Sequence, residues 1–205
     1  MESVSQISLD WGVATLPLNG QSESGDRCVV QFFPSGVLLA VIDGLGHGYE
    51  AAAAANSAES ILRTQAREPV ISLVRQCHES LRSTRGVVMS VVSFDTSQGL
   101  MTWLGVGNVR GILQRSGYSS NPQQEELLLR GGVIGGQIPP LQVSVLTVSH
   151  GDTLYLATDG IREEFAEELM AAEMSQRTAE LILSRYAKGN DDALVLVARV
   201  VGNRQ

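Results

Sequence analysis

Cysteine is nearly absent: Cys28 and Cys77 are the only two in 205 residues, which excludes a disulfide framework and a four-cysteine zinc site. No apolar run approaches the roughly 20 residues that span a bilayer, and the N-terminus lacks a basic-then-apolar leader pattern. Positive charge is in deficit, with 15 Lys and Arg against 22 Asp and Glu and a net charge of −7. An acidic surface repels phosphate backbones, so general nucleic-acid binding is disfavoured. No Gly-Lys-Ser or Gly-Lys-Thr of a Walker loop occurs, and the glycine-rich turn at residues 44–48 lacks the GxGxxG dinucleotide pattern. Gly-x-Ser-x-Gly is absent as well, which leaves little support for an activated-serine hydrolase. What is present is globular: 43% apolar and 18% charged residues, enough for one sizeable core. A single domain over residues 1–205 in a reducing cytoplasm is the expectation.

The 21 glycines cluster between apolar runs, as turn punctuation does. Strands are expected at 28–33 and 37–42, the second a continuous apolar run typical of a buried strand. It stops at Asp43-Gly44-Leu45-Gly46-His47-Gly48, after which an alanine-rich stretch to about residue 66 and the spacing of Leu73, Val74, Cys77 and Leu81 predict two helices. Strands follow at 87–94, 100–106 and 109–114, in the manner of an antiparallel meander, with a polar loop over 116–126 and a short strand at 127–129. Further strands are expected at 143–148 and 153–158, helices at 162–172 and 175–187, and a last strand at 193–201. This order predicts an α+β fold of antiparallel sheets with helices packed outside.

Aspartates recur at strand ends: Asp26 before the first, Asp43 and Asp159 after two others, Asp191-Asp192 before the last. Taken singly, Asp-Gly is a common turn formula, Asp191-Asp192 fits a solvated loop, and Asp26 has Arg27 beside it as a partner. Taken together, strand termini on one sheet edge bring distant carboxylates close, and their repulsion calls for a raised pKa or a bound hard cation. Oxygen donors without a His or Cys cluster favour magnesium or manganese over zinc. His47 opens a helix, where a loop or capping role is the ordinary one. Cys28 and Cys77 read as packed thiols.

Ser24-Gly25-Asp26, the 41–48 segment, Gly105-Val106-Gly107-Asn108, Gly131 to Pro140, Ala157-Thr158-Asp159-Gly160 and Asp191-Asp192 stand in the order found in one family. The chain resembles the metal-dependent protein phosphatases of the PPM, or phosphatase 2C-like, family, in its SpoIIE-like branch. The resemblance implies a four-layer α-β-β-α sandwich of two antiparallel sheets and a phosphoserine or phosphothreonine phosphatase holding two Mn²⁺ or Mg²⁺ ions. It implies Asp43, Asp159 and Asp191 as the catalytic carboxylates and Gly44 as a carbonyl metal ligand. Asp26, His47, Asn108 and Asp192 are implied in supporting roles, and the reaction is attack by a hydroxide bridging the metals. Three positions depart from the family pattern: Leu45 replaces a histidine, Asn108 an aspartate and Leu194 a threonine. Within the branch the chain is most similar to the free-standing phosphatase of the stressosome pathway. That likeness implies phosphorylated STAS-domain stressosome proteins as partners, no nucleic acid, no membrane, and a monomer. A catalytically silent binding module of the same pathway is the alternative, and retention of Asp43, Asp159 and Asp191 argues against it.

Overall fold

Alternation along the strands decides the layering of the chain, seen in a computed structural model that describes residues 8–21, 23–117, 123–169 and 174–202. In β3 (Gly36–Gly44), Leu38, Ala40 and Ile42 pack against helices, while Val37, Leu39 and Val41 face the opposite sheet. In β11 (Ala193–Val201), Leu194, Leu196, Ala198 and Val200 point between the sheets, and Ala193, Val195 and Val197 point outward to a helix. A strand buried on both faces has no polar side to show, hence the unbroken apolar runs.

One sheet has the order β1-β11-β10-β6-β7, from β1 (Ser8–Leu16), β6 (Arg110–Gln114), β7 (Gln124–Glu126), β10 (Thr153–Ala157) and β11. The other has β2 (Asp26–Phe33), β3, β4 (Val87–Asp95), β5 (Leu100–Val106) and β8 (Leu129–Arg130) in order, with β9 (Ser144–Thr147) also on β5. Pairing is antiparallel except between β5 and β8. Helices α1 (Tyr49–Thr64) and α2 (Val70–Ser80) cover the second sheet, and α3 (Ser175–Tyr186) covers the first. The sandwich expected from the sequence is therefore the observed one. No helix among the described residues is long and apolar enough to cross a membrane.

Three local expectations are corrected. Residues 8–16 form a strand not expected from the sequence; β1 is an edge strand, half-exposed and paired to β11 without a break through Gly12. Where a helix is expected at 162–172, the described part, 162–169, holds only a 3₁₀ turn, Glu163–Ala166; residues 170–172 lie outside the described residues. Glu163 and Glu167, and Glu164 and Glu168, would be like charges one α-helical turn apart, which disfavours continuing the helix. The polar loop at 116–126 ends in strand β7, paired to β6 from Ile112 to Gln114; residues 118–122 of that loop lie outside the described residues.

Candidate metal centre and relatives

The parity that buries apolar residues between the sheets continues past the strand ends and there presents acids. Asp43 follows Val37, Leu39 and Val41 on the inner face of β3, and Asp26 precedes Cys28 and Val30 on the inner face of β2. Asp192 precedes Leu194 and Leu196 of β11 in the same phase. Asp26 and Asp43 are register partners across β2 and β3, a placement in which like charges repel.

Each carboxylate meets a different environment. Asp26 accepts a hydrogen bond from Thr158 Oγ1 at 2.8 Å, and the same oxygen accepts from Leu194 N at 2.9 Å, so one threonine ties the two sheets together at this edge. Arg27 is not the partner of the Asp26 carboxylate; it donates to the carbonyls of Ser24 and Asp26 and to Asn56 Oδ1. Asp192, 4% exposed, accepts from Leu18 N at 2.8 Å and Gly25 N at 2.7 Å and so clamps the segment preceding β2. Gly25 in turn accepts from Gly44 N at 3.1 Å, which passes the clamp to the Asp43-Gly44 turn. Asp159 Oδ2 accepts from Asn108 Nδ2 at 2.8 Å, and Asp191 Oδ1 from Asp192 N at 2.9 Å. No described residue donates to the Asp43 carboxylate. Asn108 follows Gly107, whose φ of +97° and crowding by Val88 Cγ1, 2.2 Å from where a Cβ would stand, leave room for glycine alone.

Burial pushes the Asp43 carboxyl up to about 8, with the charges of Asp26, Asp159, Asp191 and Asp192 adding to the effect. Asp26 is raised to about 7, first by burial, with the Thr158 hydrogen bond opposing and the neighbouring aspartates adding. Asp191 is also raised, chiefly by burial, with Asp159 and Asp192 contributing. The two thiols are each pushed up to about 12, chiefly by burial, as packed cysteines are.

A cleft of about 580 Å³ opens over these groups, walled by Asp43, His47, Asn108, Asp159, Asn190 and Asp191. Gly44, Asp26 and Asp192 are not in its wall and lie behind it. The wall suits a hard cation: three of its ionisable groups are carboxylates against the single imidazole of His47, and no described residue donates to the raised Asp43 carboxyl. Among the described residues no three His, Cys, Asp or Glu side chains already stand close enough to enclose an ion by themselves. Such a cation would therefore also draw on backbone carbonyl and water oxygens, as Mg²⁺ commonly does. Thr158 lies inside the Ala157–Gly160 motif and Leu18 in no motif; no local signal marks the role of either, since their partners Asp26 and Asp192 are remote in sequence.

Two antiparallel sheets between helices, with carboxylates gathered where inner-face strands end, define the architecture of the metal-dependent protein phosphatases. The chain belongs to the SpoIIE family within that class: residues 34–201 match the family of stage II sporulation protein E. The phosphoserine phosphatase RsbX of Bacillus subtilis (strain 168) is 26% identical over 186 residues, 90% of this chain and 91% of that protein. Among solved structures, a chain from work on the bacterial stressosome, a modular system adapted to control secondary messenger signalling, is 30% identical. It superposes with a TM-score of 0.85 over 94% of this chain and 100% of the other. RsbX in complex with magnesium has a TM-score of 0.84 at 22% identity, covering 96% of this chain and 99% of that one.

Proposed function

We propose that the chain removes phosphate from Ser or Thr of STAS-domain regulators in a stressosome-type stress pathway, using two Mg²⁺ or Mn²⁺ ions. The observation that carries the reading is the meeting of Asp43, Asp159 and Asp191, from three distant segments, on one cleft at the sheet edge. The relatives support the pathway and the metal: one is the phosphoserine phosphatase RsbX, another belongs to stressosome work, and RsbX has been solved with magnesium. Asp43, the Gly44 carbonyl, Asp159 and Asp191 are the residues proposed to hold the ions. When bound, divalent cations lower the pKa of water and neutralise phosphoryl oxygens. The protein supplies the negative charge that retains them and fixes its direction. Asn108 orients the Asp159 carboxylate, and the Asp192 clamp holds the 18–25 segment against the turn that bears Asp43. Selectivity for a folded substrate is then a matter of surface docking, since a metal edge built from loops offers few side chains to read what surrounds the phosphoryl group.

Hydrolysis of p-nitrophenyl phosphate with Mg²⁺, with Mn²⁺ and with chelator tests the chemistry, and full activity of metal-free protein would refute it. The substrate is tested by comparing an intact phosphorylated STAS protein with a short phosphopeptide carrying the same site. The intact protein is expected to react faster; equal rates would remove the docking argument, and no turnover of the STAS protein would remove the substrate.

A further inference from the structure

A phosphoryl dianion entering a cleft of carboxylates is repelled by them; metals offset that repulsion and a cation from the protein offsets it further, and several arginines near the cleft are committed elsewhere. Arg27 is held by Asn56 and two carbonyls. Arg110 pairs with Glu126 at 2.9 Å and lines, with Lys188, a neighbouring cleft that meets this one at Gly107, Asn108 and Asp159. Arg130 donates to Gln142.

Arg85 is differently placed. Gly86, the next residue, accepts from Leu45 N at 3.1 Å, so the Arg85 backbone is tied to the loop that follows Asp43-Gly44. Arg85 is not itself in the wall of either cleft, but its guanidinium lies against Gly46, which is: a Cβ there would stand 2.7 Å from Arg85 Nη1. Gly46 has a φ of +87°, a backbone conformation that favours glycine. The only ion-pair partner of Arg85 among the described residues is Glu50, in the first turn of α1. Both side chains are more than half exposed, at 52% and 64%, and an exposed pair of this kind is worth little. A guanidinium fork on phosphate oxygens is a stronger, bidentate contact.

The geometry points to Arg85 as a phosphoryl-binding residue, parked on Glu50 when the cleft holds no phosphate and transferred from Glu50 to the phosphoryl oxygens when one enters. Glu50 is then a competitor for the arginine, and substitutions at the two positions act in opposite directions. This rests on the phosphatase reading above.

The test is calorimetric titration of magnesium-loaded protein with inorganic phosphate, together with p-nitrophenyl phosphate kinetics. Arg85→Ala is expected to weaken phosphate binding about tenfold or more and to raise KM more than it lowers kcat. Arg85→Lys, which keeps the charge and loses the fork, falls between. Glu50→Gln is expected to tighten phosphate binding, and all three variants keep wild-type magnesium affinity. Unchanged phosphate affinity in Arg85→Ala would overturn the assignment. So would Glu50→Gln weakening phosphate as Arg85→Ala does, because the pair would then be only a brace for the loop. A loss of magnesium affinity in Arg85→Ala equal to its loss of phosphate affinity would overturn it too. Absence of metal-dependent hydrolysis in the wild-type protein counts against the phosphatase reading, whereas the phosphate titration bears on Arg85.

Discussion

Asp26 and Asp43 are placed where ionisation is costly. Their carboxyls are raised from the ordinary 3.8 to about 7 and about 8, so between these limits the folded chain binds more protons than the unfolded one. The stability they contribute is fully present below pH 3.8 and is lost as pH rises through 7 and 8. With chelator present, the melting temperature should therefore fall from about pH 5 to pH 8, and Asp43→Asn should flatten that fall while abolishing turnover with the fold retained. Thermal melts across the pH range, beside phosphatase assays, check both outcomes. Asp192 carries a different burden, since its loss leaves Leu18 N and Gly25 N without their acceptor. Asp192→Asn retains one amide oxygen and should cost about 1–3 kcal/mol of stability, the usual penalty for an unsatisfied buried donor. Asp191→Asn should instead cost activity with little change in melting temperature. Denaturant melts of the two variants side by side separate the roles.

At the scale of elements, the cleft depends on helices lying very close to strands. Gly44 leaves room for α1, because a Cβ there would stand 2.2 Å from the carbonyl oxygen of Ala51. Gly12 does the same for α3, where a Cβ would stand 2.1 Å from Gln176 Cα. Both Gly→Ala changes should destabilise by roughly 1–3 kcal/mol or more, as overpacking against backbone does. They should differ in activity. Gly44→Ala displaces the turn next to Asp43 and should cost turnover, whereas Gly12→Ala, on the outer face of the other sheet, should leave kcat of the folded protein near wild type. Assays well below the melting temperature of each variant give the comparison.

For the molecule as a whole, the acidic edge links stability to metal. A ligand that binds only the folded state stabilises it by about 2.7 kcal/mol at a hundredfold excess over its Kd. For a domain of this length that corresponds to a rise of roughly 5–10 °C in melting temperature per ion. Magnesium should therefore raise the melting temperature by that order, and more at pH 8 than at pH 5, because protons compete for Asp26 and Asp43 at the lower pH. Differential scanning calorimetry with and without Mg²⁺ at the two values measures it. An equal rise at both would place the metal away from these carboxylates.

The sequence by itself determined the strands that are buried on both faces, because a run such as 37–42 can satisfy two apolar layers only as the centre of a sandwich. It also determined that Asp43 and Asp159 end strands, since Asp-Gly stops such runs. It did not determine who faces whom. Asp26 had Arg27 as its neighbour in sequence, yet its carboxylate takes Thr158, 132 residues away, because strand parity turns it inward between the sheets. The edge strand β1 and the 3₁₀ turn at Glu163–Ala166 escaped local reading for a related reason: one is fixed by its pairing with β11, the other by the burial of Phe165 and Ala166. Local pattern sets which way a side chain points along its own strand. Only the packing of two sheets and three helices decided that Asp43, Asp159 and Asp191 share a cleft, that Asp192 clamps the loop behind it, and that Arg85 lies over Gly46, since each pairing joins segments that no sequence window spans.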